Sequence, residues 1–215
     1  THEILCNKKI KFKDSWTIPN RLNSCIIRIR RRLLMKALIV IDYTNDFVAT
    51  DGKLTCGEPG QKLERKIAQL VREYANRGDL VVFANDLHKE NDPYHPETKL
   101  FPPHNIEVTN GRQLYGQVGD AYNEVSHLPN VISFDKTRYS AFAGTPLSLL
   151  LNERNIKEIS LVGVCTDICI LHTAVDAYNH GYQTTIYKDG VASFNESGHQ
   201  WALSHFESSL GSTII

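Results

Sequence analysis

Residues able to do chemistry recur just past the apolar runs of this chain. Asp42 follows ALIVI, Asp86 and His88 follow LVVFA, and Asp135 and Lys136 follow VISF. Thr166, Asp167 and Cys169 come after ISLVGV, and Asp189 after TTIY. Each has an ordinary explanation by itself: Asp after a strand caps a helix or forms a turn, and Cys near a helix start is a small buried hydrophobe. Together they offer two chemistries. One is metal ligation. Asp86 and His88 are two apart, so an extended backbone puts both on one face. His104 closes LFPPH, where two prolines restrict the backbone before it. Two histidines and a carboxylate with open positions suit Zn²⁺, Fe²⁺ or Mn²⁺. His95 and Glu97 in the same loop are further candidates, as ligands or as supports of ligands.

The other chemistry is nucleophilic. Cys165 and Cys169 lie four apart in GVCTDICILHTA. A helix starting near Thr166 or Asp167 places Cys169 in its first turn, where backbone N–H groups and the helix dipole favour a thiolate. Cys165 lies before that helix and offers its backbone N–H to an oxyanion. Cys169 is therefore the better nucleophile. Asp42 and Lys136, on neighbouring strand ends, can supply its base and electrostatic partner.

The elements that must position these residues alternate between strand and helix. ALIVI (37–41) is a continuous apolar run, as expected of a parallel strand buried on both faces. Leu63, Ile67, Leu70, Val71 and Tyr74 recur at helical spacing, with Gly78 as the C-cap. Strands are expected at 80–84, 131–134, 159–164 and 184–187, with a sixth in STII. Helices are expected at 117–126, after Thr145 as N-cap with Pro146 at the first helical position, at 167–180 closed by Gly181, and at 196–208. Residues 86–112 form a long loop rich in Pro, His, Asp and Asn, a length that usually carries function. The pattern predicts an α/β fold: a six-stranded parallel sheet with helices on both faces, a Rossmann-like three-layer sandwich whose ligands bind outside the carboxyl ends of the strands.

Bulk properties narrow the function classes. The chain has 215 residues, 41% hydrophobic and 22% charged, with zero formal net charge. No apolar run approaches the roughly 18 residues of a membrane helix. Residues 1–34 hold nine Lys/Arg and two acids, leaving 15 Lys/Arg and 22 acids for 35–215. The acidic body argues against nucleic-acid binding. The chain divides into a basic leader, 1–34, and a single domain, 35–215. The leader lacks periodicity and precedes the single methionine, Met35. An organelle-targeting segment and a nucleic-acid-binding arm are weighed against translated non-coding sequence. The last is favoured, because a purine-rich ribosome-binding site read in frame gives Arg-Arg, as at Arg30–Arg32; that implies a bacterial source. The final strand ends at the last residue, so a few C-terminal residues are expected to be missing. The five cysteines make no disulfide framework, which points to a reducing, cytoplasmic compartment.

ALIVIDYTNDF, NDLH with LFPPHN, DKTRYSAF and GVCTDICILHTAVDA, in this order, resemble the isochorismatase-like cysteine hydrolases and, within them, the nicotinamidases. The resemblance covers 35–215. It implies that Asp42, Lys136 and Cys169 form a catalytic triad. It implies a metal site of Asp86, His88 and His104, with Glu97 a less secure addition, holding one divalent ion: zinc first, iron or manganese as alternatives. Phe47, Phe101, Tyr139 and Val164 match the substrate pocket. Val164-Cys165 falls where the family has a cis peptide that directs backbone N–H groups of Cys165 and Cys169 into an oxyanion hole. The implied reaction is hydrolysis of nicotinamide to nicotinate and ammonia, a step of NAD salvage, with pyrazinamide also accepted. The expected partner is a small-molecule substrate, with neither nucleic acid nor membrane, and homo-oligomerisation is left open. An isochorismatase needs neither the thiol nor the metal set, and carbamoyl-amide hydrolases of the family generally lack the metal set. A nucleotide-binding module would need a glycine fingerprint where this chain has DYTNDF. A non-hydrolytic thiol or redox module leaves the metal residues unexplained.

Overall fold

The computed structural model describes residues 35–215; the leader, with Cys6 and Cys25, lies outside the described residues. Five strands alternate with helices before a short sixth closes the sheet. They are β1 (Ala37–Ile41), α1 (Glu64–Arg77), β2 (Leu80–Asp86), α2 (Gly116–Val125), β3 (Val131–Lys136), α3 (Leu147–Glu153), β4 (Glu158–Val164), α4 (Leu171–Asn179), β5 (Gln183–Ala192), α5 (Glu196–Ser208) and β6 (Thr213–Ile214). The strands form one parallel sheet in the order β3-β2-β1-β4-β5-β6. The expected six-stranded parallel sheet is therefore present.

The period of two along β1 divides the core between the faces of the sheet. Leu38 and Val40 pack with Ile67, Val71 and Tyr74 of α1 and Val118 and Ala121 of α2. Ala37, Ile39 and Ile41 pack with Leu147 and Leu151 of α3, Ala174 and Ala177 of α4, and Phe206 of α5. All five β1 residues are fully buried; burying each of Leu38, Ile39, Val40 and Ile41 contributes about 1.5–3 kcal/mol. α1 ends as expected, with Gly78 left-handed at φ 81° and its N–H on the Ala75 and Tyr74 carbonyls.

Sheet order fixes where a site can form. From β1 the chain steps outward to β2 and β3, then returns to the other side of β1 as β4. The loops after β1 and β4 thus diverge and leave a crevice at their carboxyl ends. Gly163 makes this junction close. It pairs with Ile41 across the β1–β4 ladder at φ 121°, and a Cβ there would collide with the Ile41 backbone.

Some expected boundaries shift for physical reasons. β3 runs on to Lys136 because Asp135 and Lys136 pair with Asn85 and Asp86, although a charged Asp-Lys step reads as a strand end. β5 runs on to Ala192 through an irregularity opposite Leu161–Gly163. Asp189 therefore sits within the strand, where it pairs with Lys66 at 3.0 Å, away from the site. Pro146 stands at the N-cap of α3 rather than at its first helical position, and Thr145 Oγ1 accepts the Leu147 N–H at 3.3 Å. The helix expected at 167–180 is two pieces: a π-helical turn, Thr166–Ile170, followed by α4.

Candidate functional site

Asp42, the first residue after β1, is fully buried at a φ of 56°, uncommon for a non-glycine residue. Its carboxylate is held on both sides. Oδ1 accepts the Asp86 N–H at 2.7 Å, and Oδ2 lies 2.7 Å from Lys136 Nζ. Lys136 ends β3 opposite Asp86, with a side chain wholly out of solvent. Its Nζ donates to the Arg138 carbonyl at 3.1 Å, lies 3.7 Å from Asp86 Oδ1 and points at Cys169 Sγ at 3.8 Å. Burial works against this ammonium, but Asp42, with Cys169 and Asp86, outweighs it and holds the Lys136 pKa above the usual lysine range. Burial pushes Asp42 up to about 6 against the pull of Lys136.

Cys169 lies in the π-helical turn that Cys165 caps. The Cys165 carbonyl accepts the N–H groups of Ile168 and Ile170 at 3.1 and 3.2 Å, and Thr173 Oγ1 donates to the Cys169 carbonyl at 2.7 Å. Such one-turn π segments are frequent at functional sites. The two cysteines join different core clusters, Cys165 that of α1 and α2 and Cys169 that of α3 to α5. The Val164–Cys165 peptide is cis. Burial pushes the Cys169 thiol well up, an effect that Lys136 only partly offsets and that Asp42 reinforces. That upward push runs against the expectation that the helix start favours the thiolate.

Asp86 joins this cluster to a second one. Asp86, His88, Glu97 and His104, all buried, bring one ligand-type atom each within 4.8 Å of one another. Asp86 Oδ2 lies 2.6 Å from His88 Nε2 and 3.4 Å from His104 Nε2, and Glu97 Oε2 lies 3.7 Å from the same nitrogen. Burial opposes the Asp86 charge, but Lys136, His104 and His88 hold its pKa well below the usual carboxylate range.

The fit to a metal rests on His104. Its Nδ1 donates to the Pro102 carbonyl at 2.8 Å, which orients the ring. Nε2 is then a buried lone pair with no hydrogen-bond partner, facing two carboxylates. Only a positive charge between these groups, a proton or a cation, makes that arrangement favourable. In the absence of a cation the ring becomes the acid: burial lowers its pKa, but Asp86 and Glu97 raise it to about 10. The donor set of two imidazoles and two carboxylates fits a divalent ion. His95 is a support, not a ligand. Its Nε2 donates to the Thr137 carbonyl at 2.9 Å, and its Nδ1 accepts the Glu97 N–H.

Between the clusters lies a pocket lined by Phe47, Phe101 and Tyr139 beside Asp86, Cys165 and Cys169. Phe47 and Phe101 bracket the His104 ring, with centroids 5.3 and 6.2 Å from it. Val164 is not among the lining residues; its side chain is fully buried in the α1–α2 core. Leu54, Ile168 and Phe194 line the pocket too. Sequence reading missed Leu54 and Phe194 because they stand in irregular stretches without periodicity, and Ile168 because its π-helical turn follows no helical period. Asp135 turns outward to Arg112, and Thr166 Oγ1 meets His199 Nδ1 at 2.8 Å.

Residues 36–215 match the isochorismatase domain model. The chain belongs to the isochorismatase family. Within the family, it is 60% identical over 181 residues to the isochorismatase family protein PncA of Bacillus subtilis (strain 168), covering 84% of this chain and 99% of that one. The crystal structure of nicotinamidase/pyrazinamidase PncA from Bacillus subtilis superposes with a TM-score of 0.83 at 56% identity, over 84% of this chain and 99% of the other. The pyrazinamidase/nicotinamidase of Streptococcus mutans UA159 gives a TM-score of 0.82 at 52% identity, over the same shares. The pyrazinamidase of Pyrococcus horikoshii, solved in complex with zinc, gives 0.72 at 28% identity, covering 84% of this chain and 98% of its own.

Proposed function

We propose that this chain is a nicotinamidase: a metal-dependent cysteine amidohydrolase that converts nicotinamide to nicotinate and ammonia for NAD salvage and also accepts pyrazinamide. The observation that carries the reading is the sharing of Asp86. One carboxylate ties a buried acid–lysine–thiol cluster to a buried metal-type cluster, and one aromatic-walled pocket touches both. A flat heteroaromatic amide is the substrate shape that uses both clusters at once. The relatives described as nicotinamidases and pyrazinamidases support the same class.

Asp42 takes the Cys169 proton as the sulfur attacks, so ionisation and attack are coupled. Lys136 keeps the neighbouring negative charge tolerable while the thiolate exists. The sulfur adds to the carboxamide carbon, and the backbone N–H groups of Cys165 and Cys169 receive the oxyanion. Asp42 returns its proton to the leaving nitrogen, and ammonia departs. Water then adds to the thioester with Asp42 as base; the carboxylic acid leaves and the thiol is restored. Asp86, His88 and His104, with Glu97, would hold a divalent ion, whose chemistry there is a Lewis-acidic anchor for the ring nitrogen. Zinc is the favoured ion, given the Pyrococcus relative. Buried free thiols at Cys56, Cys165 and Cys169 accord with a reducing, cytoplasmic setting.

A substrate panel tests the reading. Nicotinamide and pyrazinamide should give their carboxylates with comparable kcat/KM, while isochorismate and N-carbamoyl amides should turn over at least about 10³-fold less efficiently, a gap of about 4 kcal/mol. Preference for a carbamoyl amide or isochorismate would replace the proposal.

A further inference from the structure

The mechanism uses the backbone of Cys165 and leaves its sulfur idle. That sulfur has a partner from a distant stretch of chain. Cys56 Sγ lies 3.2 Å from Cys165 Sγ, across 109 residues, and both side chains are buried. Cys165 also lines the substrate pocket, so a small reagent that enters the pocket reaches the pair from that side.

We propose that Cys56 and Cys165 are a dithiol modification site, oxidised by small hydroperoxides to an intrachain disulfide that lowers turnover at the adjoining pocket.

The chemistry balances in two steps. Cys165 sulfur attacks the peroxide O–O bond, giving a sulfenic acid and releasing water or an alcohol. Cys56 sulfur then displaces hydroxide from that sulfenic sulfur and loses its own proton, so that the disulfide forms and a second water leaves. Closing from contact to a bond requires the sulfurs to approach by roughly 1.2 Å. Cys56 is buried, with the Cys165 sulfur 3.2 Å from its own. The nearby thiol is the partner that fits. The contact with Cys56 first, and burial second, push the Cys165 pKa up, so the pair is a slow target that responds to sustained peroxide rather than traces.

Two contacts carry the effect to the pocket. The Cys56 N–H donates to the Phe47 carbonyl at 2.8 Å, and Phe47 walls the pocket. Cys165 caps the turn that carries Cys169. Drawing the two sulfurs together therefore pulls a pocket wall and the nucleophile's turn toward each other. In a reducing compartment such a bond would be transient, as sensing disulfides are.

The test treats the full chain with hydrogen peroxide, blocks remaining thiols, and digests it without reductant for peptide mass spectrometry. A Cys56–Cys165 linked peptide should appear and disappear with dithiothreitol, whatever the substrate. Nicotinamide turnover should fall about tenfold or more in the linked fraction and recover on reduction. Cys56→Ala, with Cys56→Ser as a second variant and thermal melts as the fold control, should keep basal turnover, form no link and lose the reductant-reversible part of the inactivation. Oxidation confined to Cys169 with no linked peptide would overturn the site. A linked fraction with undiminished turnover would overturn its effect on the pocket.

Discussion

At the scale of the residue, Cys169 and Cys165 should respond differently because they contribute different atoms. Cys169→Ala removes the nucleophile, so kcat/KM should fall on the order of 10³-fold or more, about 4 kcal/mol of transition-state stabilisation. Cys165→Ala keeps the backbone N–H and should cost about 1–2 kcal/mol in chemical denaturation, with most turnover left. Lys136 should matter to stability as well as rate. Lys136→Met leaves the Asp42 and Asp86 carboxylates facing each other without their buried cation, and urea unfolding should show a loss of about 3–5 kcal/mol. An unchanged midpoint would mean that the ion pair is not formed in solution. His104→Ala removes the lone pair aimed at Asp86 and Glu97. Metal content should drop and the nicotinamide KM should rise, while Cys169 still reacts with iodoacetamide; full metal occupancy in that variant would exclude His104 as a ligand. Side-chain type and spacing made Asp42, Asp86, His88, His104, Lys136 and Cys169 legible in the sequence. The upward push on the Cys169 pKa was not legible, because it depends on how completely the fold removes water from the thiol.

At the scale of the element, the β1–β4 junction is the most demanding part. A Cβ at Gly163 would strike the Ile41 backbone, so Gly163→Ala should destabilise the fold by more than a surface change does, about 2 kcal/mol or more, and should slow turnover by displacing Cys165. Stability and rate that both match wild type would contradict the close approach. Long apolar runs and helical spacing revealed β1, β4, α1 and α5 because burial on one or two faces imposes those patterns. The ends of β3 and β5 were hidden because Asp135-Lys136 and Lys188-Asp189-Gly190 look like strand terminators. The ladder to β2 carries the first pair and an irregularity opposite β4 carries the second stretch. The π-helical turn was hidden too. It arises from the Ile170 N–H reaching the Cys165 carbonyl five residues back, a register that local propensity does not encode.

At the scale of the whole molecule, the order β3-β2-β1-β4-β5-β6 sends the β1 and β4 loops apart, and that places Asp42 and Cys169 on either side of one crevice. Alternation revealed the parallel sheet but not its strand order, and the pocket's third wall, Leu54, Ile168 and Phe194, was hidden because loop and π-turn packing leaves no period to read. The leader is expected to be dispensable. The family match begins at residue 36, and the Bacillus relative is covered over 99% of its length by 84% of this chain. A chain begun at Met35 should equal the full chain in turnover and Tm, whereas a fall of several degrees would assign the leader a place in the fold. The central claim, that a buried thiol with a neighbouring metal cluster hydrolyses nicotinamide, is tested most directly by ammonia release from nicotinamide. It should be compared for the purified protein, for the same protein after chelation and metal return, and for Cys169→Ala. The account predicts release by the first, a reversible loss in the second and none above background in the third; undiminished ammonia release by Cys169→Ala would contradict it.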